Sequence, residues 1–187
     1  MKEVSKVNTQ VGEGSVWNNN SYHWEEKSVN KWAQETMTQV LGLFYYKSDR
    51  CMLTIKDVKE LQGESLVTVR KGKKIVTYEY SVKLDFMCAM VDEANSKVIG
   101  QLEGQYIIPE ISNDVLDDGD EWEINASIHS GDEAMKEKFS QIIKKVAPAE
   151  LRKQIIKQFV EELKKKWEML TRLIYEFLVR ICQYSIS

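Results

Sequence analysis

Proline and histidine are scarce in this chain, two of each among 187 residues, and cysteine is hardly commoner at three. His23 and His129 share no short ligand spacing with each other or with a cysteine, so no zinc site is expected. Cys51, Cys88 and Cys182 are odd in number and far apart, which fits neither a disulfide framework nor a zinc knuckle and makes a reducing, cytoplasmic home the simplest expectation. Glycine-rich phosphate cradles are missing too: Gly72 and Lys73 lack the upstream glycine and downstream hydroxyl of a Walker A loop, and neither G-x-G-x-x-G nor G-x-S-x-G occurs. The acidic residues within 114–123 lack the alternating ligands of an EF-hand loop and read as a solvated turn. No catalytic residue, metal ligand or cofactor is therefore expected.

Neither sign of charge dominates. With 26 basic and 29 acidic residues the net charge is −3, so bulk electrostatics predict neither a nucleic-acid nor a membrane partner. Long apolar runs are absent: the start has no signal-peptide core, and Arg172, Glu176 and Arg180 interrupt the stretch 170–186, which excludes a membrane span.

What is present is a chain 43% hydrophobic and 10% aromatic, enough for one packed domain. Residues 1–16 carry no period and read as a mobile leader, leaving 17–187 as a single domain. From Asn30, a candidate N-cap, Trp32, Met37, Val40, Leu41 and Phe44 recur at helical intervals. Val76, Tyr78, Tyr80, Val82, Leu84, Phe86 and Cys88 then alternate with Thr77, Glu79, Ser81, Lys83 and Asp85, the period-two pattern of a half-buried strand. Shorter runs at 51–58, 65–69, 98–108 and 122–128 predict further strands, joined by turns at Gly63 with Glu64, Lys71 with Gly72, 93–96 and 117–120. Such short links predict antiparallel neighbours.

Helical spacing returns at Phe139, Ile142, Ile143 and Val146, and Pro148 is expected to break or kink it. Beyond it Ile156, Val160, Leu163, Trp167, Leu170, Ile174, Phe177 and Ile181 form a heptad seam, which fits a helix packed on the sheet or one that outruns it and pairs with another chain. The fold class is α+β: an amino-terminal helix, a meandering antiparallel β-sheet of about four to five strands, and a long carboxy-terminal helix packed on the sheet.

Two segments stand out. Trp17, Tyr22, His23 and Trp24 crowd a polar stretch before the first helix, either stapling the chain entry to the core or forming a recognition strip. Arg70, Lys71, Lys73 and Lys74 surround Gly72 at a hairpin tip, either as edge protection or as a charged contact for a partner's carboxylates.

Both segments, in this order, resemble the amino-terminal domain of the Aha-type activators of the heat-shock protein 90 ATPase. Asn18, Asn20, His23 and Trp24 match that family's N-x-N-N-W-H-W motif, while Ser21 and Tyr22 replace its usual Asn and Trp. Trp32, Glu64 after Gly63, the R-K-G-K turn at Arg70, Lys71, Gly72 and Lys73, the strand 78–84, and Glu103-Gly104 with Pro109-Glu110 extend the resemblance over residues 17–165. It implies a co-chaperone that binds the middle segment of heat-shock protein 90 and favours its ATPase-active conformation, with ATP and magnesium held by the partner. It also implies that Glu64, Arg70, Lys71, Gly72, Lys73, Ile75 and Leu102 bind the partner, whereas Asn18, Asn20, Tyr22, His23 and Trp24 modulate the nucleotide cycle. Complete activators add a second domain through a linker that 187 residues do not show, so the resemblance is to short single-domain members with weaker stimulation. The tail 167–187 has no match and leaves three readings: a longer helix, self-association, or an end peculiar to this chain. The alternative function is a polyanion or nucleic-acid binding module using the basic turn, opposed by the acidic loop nearby. An enzyme with a pocket between sheet and helix ranks last, for want of convergent polar groups.

Overall fold

The computed structural model describes residues 25–48, 51–70, 73–92, 97–131 and 133–165. Its centre is a long antiparallel hairpin of β3 (Cys51–Arg70) and β4 (Lys73–Val91), paired from Cys51 with Met90 to Arg70 with Lys73. The alternation in β4 is realised as expected, with Tyr78, Tyr80, Val82, Leu84, Phe86 and Cys88 all buried on one face. β5 (Val98–Ser112) pairs with β4, and β6 (Asn125–Ser130) with β5. Two short strands, β1 (Glu25–Ser28) and β2 (Tyr45–Ser48), share the other edge of β3, β1 beside its carboxy-terminal end and β2 beside its start.

The runs 51–58 and 65–69 turn out to be one strand. Register shifts between Ile55 and Asp57 and between Val58 and Glu60 are bulges, which interrupt the period-two pattern without ending the pairing. Gly63 and Glu64 accordingly make no turn; they lie in the ladder opposite Tyr80 and Glu79. β6 begins later than expected because Trp122 leaves the sheet and buries itself, its Nε1 donating to the Ser112 carbonyl at 2.8 Å. Ahead of it a short helix, α2 (Asn113–Asp117), is capped by the Ser112 hydroxyl, which accepts from Val115 N at 3.4 Å.

Helix α1 (Asn30–Gly42) buries Ala33, Met37, Val40 and Leu41 against the sheet. Asn30 is its first residue, not its cap, and its side chain is committed elsewhere: Oδ1 accepts from Ser65 N at 2.6 Å and so ties the helix start to β3.

A continuous helical run covers the rest of that face: α3 (Glu133–Gln141), a π-helical segment Ile142–Val146, α4 (Ala147–Gln154), a second π-helical segment Ile155–Val160, and further helix to residue 165. Pro148 does not break it. The proline follows directly on the first π segment, and the Ile143 carbonyl, five residues before the missing N–H, accepts from Tyr106 OH instead. The buried stripe is Phe139, Ile143, Ala147, Leu151, Ile155, Phe159 and Leu163, a strict step of four. Four residues overshoot a 3.6-residue turn by about 40°. The wider i→i+5 turns take this drift back and keep the stripe on the sheet. Of the heptad seam expected from Ile156, Val160 and Leu163 are buried as expected, whereas Ile156 is 37% exposed and its neighbour Ile155 takes the inward place. The seam from Trp167 onward lies outside the described residues.

Polar links fasten the layers. Tyr106 OH donates to the Ile143 carbonyl at 2.9 Å within the first π segment, and Gln154 Nε2 donates to the Val40 carbonyl at 2.7 Å. Cys51 and Cys88, distant in sequence, meet in the core with their sulfurs 2.9 Å apart as free thiols.

Burial pushes the Tyr78, Tyr80 and Tyr106 hydroxyls above the usual tyrosine range. Above about pH 10 the unfolded chain loses these protons while the folded chain keeps them, so stability falls with rising pH. Urea midpoints should hold below that pH and decline above it, and Tyr106→Phe should flatten the decline. A midpoint unchanged up to pH 12 would remove the argument.

Candidate protein-contact surface

One face of the sheet is covered by α1 and the helical run, and the other carries charge. Lys56 pairs with Glu103 at 2.8 Å, Lys83 with Glu60 at 2.8 Å, and Lys59 with Asp57 at 2.8 Å and Asp85 at 3.4 Å. The hydrogen bond and charge of Lys59 hold the Asp57 carboxyl below the usual carboxylate range, and the same contact raises Lys59. These pairs stand in solvent, where they order side chains more than they stabilise the fold.

Glu64 and Ile75 reach solvent on the open side of the hairpin. Glu64 stands opposite Glu79, and with Glu110 and Asp114 these line a shallow pocket of about 170 Å³. Like charges facing across a ladder are unfavourable, so the arrangement gives the surface a standing negative potential. Among the described residues no cluster of His, Cys, Asp or Glu is arranged to hold a metal ion. Ile75 is 53% exposed, an apolar side chain in solvent two residues after Lys73, the first residue of β4. The described ladder ends where Arg70 pairs with Lys73. Lys71 and Gly72 lie outside the described residues, as do Asn18, Asn20, Tyr22, His23 and Trp24.

Leu102 does not belong to this surface. It is 0% exposed, paired with Cys88 on the core face, so its side chain meets the protein's own interior. The alternation in β5 explains the reversal: Leu102, Tyr106 and Ile108 point inward, while Glu103 turns out to Lys56.

A polar cluster behind Glu64 escaped sequence reasoning. Ser65 Oγ and Tyr80 OH share a buried hydrogen bond of 2.8 Å, Ser65 N is held by Asn30, and Gln34 Nε2 donates to the Gly63 carbonyl at 3.2 Å. Together they lock α1 to β3 behind the acidic patch. No local motif marks them, because serine, asparagine and tyrosine at these spacings are ordinary.

These features define a helix-backed, open-sheet domain with a charged outer face. The chain belongs to the family described as "Activator of Hsp90 ATPase, N-terminal", whose model matches residues 26–166. Activator of 90 kDa heat shock protein ATPase homolog 2 from Bos taurus is 29% identical over 115 residues, which cover 62% of this chain and 42% of that protein. Homolog 1 from Homo sapiens is 30% identical over 111 residues, covering 59% of this chain and 30% of that protein. The matched stretch thus spans less than half the length of either relative. The crystal structure of Aha-1 from Plasmodium falciparum shares the fold, with a TM-score of 0.62 at 24% identity over 75% of this chain and 88% of that one. Among the described residues no helix is long and apolar enough to cross a membrane.

Proposed function

We propose that this chain is a co-chaperone that binds the middle segment of heat-shock protein 90 in the cytoplasm and stimulates its ATPase cycle. The observation that carries this reading is the match of residues 26–166 to the family of activator amino-terminal domains. Arg70, Lys71 and Lys73 would meet acidic groups of the partner, Glu64 its cations, and Ile75 an apolar recess. Only differential affinity shifts a conformational equilibrium, so the domain must bind the ATPase-competent arrangement of its partner more tightly than the resting one. Residues 18–24 would act after docking, on nucleotide handling.

The test is an ATPase titration against the cognate chaperone, with an inhibitor of its nucleotide pocket to subtract background turnover. Stimulation should saturate, and Lys71→Glu should weaken half-maximal stimulation by about tenfold, since reversing one interfacial charge costs on the order of 1.4 kcal/mol or more. Circular dichroism of the variant should match the parent. Neither binding nor stimulation at low salt would sink the proposal. A polyanion-binding module would instead show affinity for oligonucleotides that collapses with added salt, an outcome the carboxylates around Glu64 oppose.

A further inference from the structure

A second basic surface lies far from the hairpin tip. Between β2 and the flank of α4 with the second π segment runs an open groove of about 580 Å³, whose lining includes Tyr45, Tyr46, Lys47, Lys153, Lys157 and Gln158. Lys153 is paired with Glu150 at 2.7 Å. Lys47 and Lys157 have no carboxylate partner among the described residues, which leaves uncompensated positive charge in the groove of a chain whose net charge is −3. Tyr45 is 51% exposed at the same wall.

The wall formed by β2 has a further property. β2 pairs with β3 along one edge only, and its other edge has no strand partner among the described residues. Its outer N–H and C=O groups are therefore available to an added strand. An edge strand, an exposed tyrosine and unpaired lysines on one groove answer different parts of one ligand. The edge supplies main-chain hydrogen bonds, the ring an apolar contact, and the lysines carboxylate recognition.

We propose that this groove binds an extended acidic peptide segment of a partner protein, added to β2 as a further strand, with Lys47 and Lys157 meeting its carboxylates. A nucleic acid would also favour lysines and a stacking ring, but it makes no use of a strand edge, which is why a peptide is the better fit. The site is separate from the hairpin tip. Tyr45 pairs with Thr54, and from Thr54 to Arg70 the strand runs about 50 Å at roughly 3.3 Å per residue. One domain would thus hold two partners, or two parts of one, at opposite ends of its sheet.

The proposal is independent of the heat-shock protein reading. Its test uses the whole chain and a fluorescein-labelled octapeptide alternating glutamate with valine or phenylalanine, followed by fluorescence anisotropy. Saturable binding in the micromolar range is expected. Lys47→Gln with Lys157→Gln should weaken it about tenfold, and Tyr45→Ser several-fold. The same peptide with glutamine for glutamate should bind at least tenfold more weakly. A peptide of equal charge with proline at alternate positions should also lose binding, because proline cannot donate to the ladder. Four results overturn the proposal: no saturable binding; affinity unchanged in the lysine variant; equal affinity for the proline peptide; or tighter binding of a single-stranded oligonucleotide than of the octapeptide. All the substituted side chains line the open groove, so folded variants are expected, and Lys47→Glu alone provides a second reading of the same charge.

Discussion

Gly63→Ala is expected to lower the unfolding free energy by about 3–5 kcal/mol, far more than a surface alanine substitution normally does. Gly63 lies in the middle of β3 with φ at 145°, a conformation L side chains rarely adopt. A Cβ there would fall on the Glu79 carbonyl oxygen and 2.7 Å from Tyr80 Cα. Backbone strain of about 1–3 kcal/mol and overpacking of about 1–3 kcal/mol act together. Gly119 is the internal comparison: its φ is 82° but nothing lies within 4 Å of an added Cβ, so Gly119→Ala should cost only about 1 kcal/mol. Urea denaturation of the two variants decides the matter. Equal, mild losses would mean that β3 does not run unbroken through Gly63. Because Gly63 precedes Glu64 and its carbonyl receives Gln34, the same variant should disturb the acidic patch as well as the fold.

Phe159→Ala should be comparably damaging, at about 3–5 kcal/mol, the usual cost of emptying a phenylalanine site in a core. Its ring sits edge-on to Tyr78 at 5.8 Å and to Tyr80 at 5.9 Å, so the cavity would open between the helical run and the centre of β4. Ile156→Ala, three residues away on the chain, should cost about 1 kcal/mol or less, because Ile156 already meets water. That ordering is diagnostic. A regular heptad would make Ile156 the heavier loss, whereas the four-residue stripe makes it Phe159. Chemical denaturation with matched m-values is sufficient to read it.

The contrast between those two residues shows where the sequence was legible. Strict alternation from Val76 to Cys88 described β4 almost completely, because a strand buried on one face writes its geometry directly into polarity. The long helix was legible as an amphipathic segment, but its phase only in part: Val160 and Leu163 are buried as the spacing predicts, and Ile156 is not. Residue spacing assumes one helical pitch, and two π-helical segments change the pitch inside a single run. The β3 bulges hid one strand as two by the same kind of slip. β1 and β2, at four residues each, were too short to carry any period. Of the residues named for a partner contact, Glu64 and Ile75 are exposed, whereas Leu102 points inward, because its place beside a glutamate says nothing about which face of β5 it occupies. The Ser65, Tyr80 and Asn30 linkage depends on residues brought together by the sheet register, which no local reading supplies.

The long-range bond from Gln154 to Val40 spans 114 positions. Every strand of the sheet, β6 included, precedes the helical run that covers its apolar face. During synthesis at about 5–20 residues per second, the finished sheet, with Tyr80, Leu84, Tyr106 and Ile108 on its inner face, therefore waits roughly 2–7 s from the end of β6 until Leu163 exists to complete the lid. In that interval the nascent domain displays a broad greasy plane with open edges, the kind of surface on which unfinished chains aggregate. Slowing translation over residues 133–163 should lengthen this exposure and lower the soluble yield, without altering a single contact in the finished molecule.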